Sequence, residues 1–128
     1  MTTTFKNDLQ LLPEVKTFLS RDVLPAIVGG REVMAASGAT LATIDPGSGQ
    51  ELAEIQDLDA SEIDRAVDVA NAAFPAWAKL TLEERSKILL RLADAVEKHK
   101  PIIAQIEALD AGKIEAQAQG DVQNFVDT

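Results

Sequence analysis

Residues 40–70 read TLATIDPGSGQELAEIQDLDASEIDRAVDVA, and the period of their apolar side chains changes within the stretch. Thr40 to Ile44 and Gln50 to Gln56 are short β-type runs flanking Asp45-Pro46-Gly47-Ser48-Gly49, a dense cluster of turn formers, which predicts a hairpin. At Asp59 the period becomes that of a helix. Asp59 with Glu62 three residues later resembles a capping box, and Ile63, Ala66, Val67, Ala70 and Phe74 share one face. Glu62, Asp64, Arg65 and Asp68 are expected on the outer face. Pro75 is expected to end the helix before Trp77, which reads as a packing anchor.

Upstream, Ala26-Ile27-Val28, the pair Gly29-Gly30 and Arg31 to Ala35 predict another hairpin with a two-residue turn. Residues 1–23 form a separate N-terminal helical segment: Phe5, Leu9 and Leu12 have helical spacing, and Val15, Phe18 and Leu19 follow Pro13 on one stripe. Downstream, Thr81 and Glu84 make a second cap ahead of the stripe Ile88, Leu89, Leu92, Ala95 and Val96. Pro101 is expected to interrupt that helix or begin the next, whose stripe of Ile102, Ile103, Ile106 and Leu109 stops at Gly112. Ile114, Ala118, Val122, Phe125 and Val126 predict a last helix, with Gly120 weakening its middle. The fold class is therefore α+β, two short antiparallel hairpins followed by three to four helices. The chain ends at Asp127-Thr128 directly after an apolar pair, which reads as an interrupted chain.

Composition narrows the chemistry. Of 128 residues 46% are hydrophobic, but twenty are alanine, so the core is thin and help from other protein surface is expected. The chain has no cysteine, which excludes within it a disulfide framework, a thiolate nucleophile and a Cys-ligated metal. One histidine, His99, rules out a His-rich metal site. A net charge of −9 repels nucleic acid and anionic membrane, and no apolar run approaches the ~20 residues of a membrane span. A soluble, cytoplasmic protein is expected, with neither nucleic acid nor membrane as partner.

The glycines read as turns: Gly29-Gly30 lacks the Gly-x-Gly-x-x-Gly spacing, and Gly47-x-Gly49 precedes a strand instead of a helix N-terminus. Glu83-Glu84 and Glu62, Asp64 and Asp68 are explained by capping and solvation. His99, between Lys98 and Lys100, reads as a cation complementing a helix dipole near its end. Asp110 in Leu109-Asp110-Ala111-Gly112-Lys113 is poorly placed against that dipole unless its carboxylate has some other partner, and a cap or pairing with a lysine is the plain reading.

Taken in order, several segments resemble the N-terminal portion of the aldehyde dehydrogenase family. They are Ile27-Val28-Gly29-Gly30, Ala36-Ser37-Gly38-Ala39-Thr40, Ile44-Asp45-Pro46-x-Ser48-Gly49 and Asp64-Arg65-Ala66-Val67. Ala72-Ala73-Phe74-x-x-Trp77, Glu84-Arg85-x-x-x-Leu89 and Glu107-x-Leu109-Asp110-x-Gly112-Lys113 complete the set. Asp45 stands where the family more often has asparagine.

The resemblance implies an α/β parent fold in which residues 24–128 open the cofactor-binding domain. It implies oxidation of aldehydes to carboxylic acids with NAD or NADP, through a cysteine thiolate and a glutamate base. Neither is carried by this chain, so no catalytic or cofactor-binding residue is assigned and the chain alone is expected to be inactive. By the same resemblance, Thr43, Ile44 and Asp110 match positions that ligate a structural monovalent cation, for which oxygen donors are suited. An aldehyde substrate and a homo-oligomer, dimer or tetramer, are implied for the full-length protein. The alternatives are a non-catalytic truncated product that docks on an intact family subunit, and an unrelated small helical adaptor.

Overall fold

The computed structural model describes residues 10–128. Helix α1 spans Pro13–Leu19, with proline in its first turn where a missing N–H costs nothing. Phe5 and Leu9, expected on the helical stripe before Pro13, lie outside the described residues. Strands β1 (Ala26–Val28) and β2 (Arg31–Val33) pair antiparallel, and Gly29 (φ 59°) with Gly30 (φ 76°) makes the turn between them. Two successive positive φ angles are what a type I′ hairpin turn requires. β3 (Thr40–Ile44) and β4 (Glu51–Gln56) form the second antiparallel hairpin, with a register shift between Thr43 and Ile44. Leu24 adds a parallel bridge to Ile55 on the other side of β4, its N–H donating to the Glu54 carbonyl at 2.7 Å.

Three helices follow. α2 is Ala60–Ala78, α3 is Leu82–Ala111 and α4 is Glu115–Asp127. Both capping boxes form as expected, Asp59 with Glu62 and Thr81 with Glu84. Gly112 ends α3 in the left-handed conformation, φ 66°.

Four expectations need correction. α2 continues through Pro75 to Ala78: Pro75 has no N–H to donate to the Asn71 carbonyl, but its fixed φ is compatible with the helix. α3 likewise runs unbroken through Pro101 as a 30-residue helix, so the hairpins are followed by three helices. His99 therefore sits inside α3, away from its end, with Nδ1 2.8 Å from the Ala95 carbonyl oxygen. Glu62 is buried, facing the β2–β3 connection and not solvent, because its carboxylate accepts from Ala36 N at 2.8 Å and Asp59 N at 2.9 Å.

The core comes in two small pieces. Val15 and Leu19 of α1 pack with Ala53 of β4, flanked by Leu24, Ile102, Ile106 and Leu109. Ala104 of α3 packs with Ala118 and Val122 of α4, flanked by Val96 and Ala108. Both pieces gather on the C-terminal half of α3. The apolar stripe of α2 and the first half of α3 stay open, with Phe74 63% and Leu82 80% exposed.

Candidate functional site

The β3–β4 turn is locked by its first residue. Asp45 is buried and its carboxylate accepts from Gly47 N (2.9 Å), Ser48 N (3.2 Å) and Ser48 Oγ (2.6 Å). The Ser48 hydroxyl first, then the two backbone N–H groups, hold the Asp45 carboxyl below the usual aspartate range, with partial burial opposing them. Asparagine, the family's commoner residue here, would offer one neutral oxygen where Asp45 offers two charged ones.

That turn rests on the C-terminal end of α3. The Pro46 ring lies where a Gly112 side chain would point, its Cβ and Cγ 3.1 and 3.2 Å from an ideal Cβ position. One step back, Thr43 Oγ1 donates to Asp110 Oδ1 across 67 residues of chain. Asp110 therefore has a partner that offsets its unfavourable place in the last turn of α3. Lys113 sits beside it in sequence but pairs elsewhere, with Glu107 at 2.7 Å and Asp121 at 2.8 Å. Those two carboxylates, Asp121 foremost, raise the Lys113 pKa and tie the middle of α4 to α3 through Lys113.

Of the three residues singled out by resemblance, Thr43 and Asp110 are brought into contact, and Ile44 follows Thr43 at the register shift with a half-exposed side chain. Among the described residues no three His, Cys, Asp or Glu side chains gather as a metal-binding group. A cation at this corner would thus meet one carboxylate, a hydroxyl and backbone carbonyls, a donor set suited to a hard ion of low charge. Thr43 and Asp110 also line a mainly apolar pocket under α1, together with Leu19, Leu24 and Ile106.

Elsewhere several of the polar groups singled out have structural partners. Glu83 pairs with Lys87 one turn on at 2.6 Å, and Glu84 accepts from Thr81 N at 2.8 Å. Arg21 and Glu32 form an exposed two-pronged pair at 2.9 Å. Arg85, which the sequence showed only as part of a motif, has an Nε shut from solvent with no hydrogen-bond partner among the described residues. No pattern in a sequence signals an orphaned donor. No described helix is long and apolar enough to cross a membrane.

The aldehyde dehydrogenase family model matches residues 33–128. A benzaldehyde dehydrogenase, mitochondrial, from Antirrhinum majus is 46% identical over 103 residues, covering 78% of this chain and 19% of that protein. Aldehyde dehydrogenase family 2 member B4, mitochondrial, from Arabidopsis thaliana is 44% identical over 89 residues, 68% of this chain and 16% of that protein. The structure of an NAD+ complex of aldehyde dehydrogenase from Bacillus cereus superposes with a TM-score of 0.83 at 34% identity, covering 92% of this chain and 25% of that one. The chain thus spans about a fifth of the length of the curated relatives it matches. With the match running through both capping boxes and the Asp110–Gly112 corner, the chain belongs to the aldehyde dehydrogenase family.

Proposed function

We propose that this chain is the N-terminal scaffold of an NAD(P)-dependent aldehyde dehydrogenase. The whole protein would convert an aldehyde and water to a carboxylic acid, with the hydride passing to NAD or NADP and a proton released. The observation that carries this reading is the family match over residues 33–128, joined to the small share of its relatives that the chain spans. The NAD+ complex of the Bacillus cereus relative supports the cofactor class. With no cysteine, these 128 residues lack the family's nucleophile, so the chain alone is inactive. Residues 24–128 open the cofactor-binding domain in this reading, and α1 lies in the segment before it.

The chain's own contribution is positional. The Asp45 turn, the Thr43–Asp110 contact and the Lys113 ion pairs hold a hairpin and two helices in one relation. Thr43, Ile44 and Asp110 would hold a structural monovalent cation at this corner, adding charge compensation for Asp110. Exchange of sodium or potassium chloride for choline chloride should lower the melting temperature of the native protein, and Asp110→Ala should abolish that difference. The full-length protein is assigned to a homo-oligomer, dimer or tetramer, in the cytoplasm. Because both plant relatives carry "mitochondrial" in their names, cell fractionation is the check on compartment.

An NAD(P)H absorbance assay with a panel of aldehydes tests the reading on the 128-residue chain and on the extended reading frame. Activity of the extended protein alone supports it; activity of the short chain overturns the requirement for a cysteine. The exposed apolar faces of α2 and α3 favour one second reading, a truncated product that docks on an intact family subunit. A stop codon directly after Thr128 would favour that reading, and continuous coding the first.

A further inference from the structure

α3 passes into α4 through residues 112–114, and local backbone chemistry does not fix the register of one helix on the other. Gly112 stands in the left-handed region with φ 66°, and α4 opens at Ile114 without a side-chain cap. The contact between the helices is made by small side chains, Ala104 with Ala118 and Val122. Ala108, one turn along α3 from Ala104, packs against the same cluster, so the ridge offers α4 a second seat one turn away. Between the helices lies a cavity of about 400 Å³ lined by Val96, Ile103 and Phe125, which leaves room for movement. Small side chains bury surface here without the interlocking that selects one arrangement.

We propose that Lys113 is the positioning residue of this elbow, one ammonium that sets the register of α4 on α3. The proposal deepens the scaffold reading above and rests on it. Lys113 stands between the helices in sequence and reaches back to Glu107 of α3 at 2.7 Å and forward to Asp121 of α4 at 2.8 Å. Its side chain is only 24% exposed, so both pairs are partly shielded from solvent. A slide of one turn would move Asp121 by about 5.4 Å, out of reach of an ammonium that still holds Glu107. Without the lysine, the two carboxylates drawn to one point repel each other. Lys100 meets Gln123 at the other end of the contact, but through one neutral acceptor. Ion pairs near a surface add little stability, so the effect of Lys113 is geometric and is read in a distance more than in a melt.

The chain has no cysteine, so Lys98→Cys on α3 and Asn124→Cys on α4 supply the only thiols and each takes a spin label. Pulsed electron paramagnetic resonance on the full 128-residue chain should give one narrow distance. Lys113→Met should broaden it and shift its mean by about 5 Å, one helical turn. Asp121→Asn, a milder change at the other partner, should broaden it as well. Lys113→Arg keeps the charge and should restore the narrow distance. Lys87→Met, which breaks an exposed pair within α3, should leave it unchanged. Far-UV circular dichroism of each variant confirms that the helices persist. A narrow, unmoved distance in Lys113→Met and Asp121→Asn overturns the proposal whatever happens to the melting temperature, because the lysine is then a stabilising contact and nothing more. Broadening by Lys113→Arg equal to that by Lys113→Met overturns it too, as does a broad distance in the chain with Lys113 intact. The readout is a distance, so it fails independently of the activity assay: an active extended protein with an α3–α4 distance indifferent to Lys113 would sink this role and keep the enzymatic reading.

Discussion

Gly112 does two jobs that a residue with a side chain cannot combine. Its φ of 66° closes α3, and its bare Cα admits the Pro46 ring at 3.1 Å from where a Cβ would stand. Gly30 has φ 76° but nothing within 4 Å of its Cβ position, so it carries the conformational cost alone. Gly30→Ala should therefore lose about 1 kcal/mol and Gly112→Ala about 2 or more, both measured by urea unfolding. Asp45→Ala removes three accepted hydrogen bonds from a buried carboxylate and should cost about 1–2 kcal/mol. Its pH dependence has a definite sign. The folded-state pKa is depressed, so the stabilisation is fully present above the ordinary aspartate value of about 3.9 and is lost as pH falls through the lower folded value. The melting temperature of Asp45→Asn should accordingly fall less steeply than that of the unaltered chain as pH drops below about 4. That Asp45 and Gly112 are turn and stop was legible in the sequence; that one rests near the other was not.

At the scale of elements, α3 shows how tertiary packing overrides a local breaker. Pro101 has no N–H to donate within the helix, yet the turns around it are held on two sides, by α1 through Ile102, Ile106 and Leu109 and by α4 through Ala104. Pro101→Ala should restore the missing hydrogen bond and raise stability by about 1–3 kcal/mol in thermal or urea unfolding. Glu62 was expected on the solvent face because its helical phase places it with Asp64, Arg65 and Asp68. Its first-turn position lets it serve the Asp59 N–H and, across space, the Ala36 N–H. Glu62→Ala leaves both donors unmatched and should cost about 2 kcal/mol, with faster amide exchange at Ala36 as its local signature.

At the scale of the whole molecule, the apolar surface left open is the dominant feature. Among the described residues only eight hydrophobic side chains are buried, while Leu89, Leu90, Leu92, Ile63, Val67 and Phe74 face water. The isolated chain should bind an apolar dye at neutral pH and show a shallow calorimetric transition, and the extended reading frame should suppress the dye signal. A sharp two-state melt at low concentration without dye binding would contradict this. The sequence by itself determined the hairpins, both capping boxes, the helical stripes and the family, because turn chemistry, capping and periodicity act over a few residues and leave a local record. Tertiary structure alone decided that α3 survives Pro101, that Glu62 turns inward and that Thr43 meets Asp110. Each of these depends on which surfaces meet across long stretches of chain, and a pattern in sequence marks an apolar face without naming what covers it.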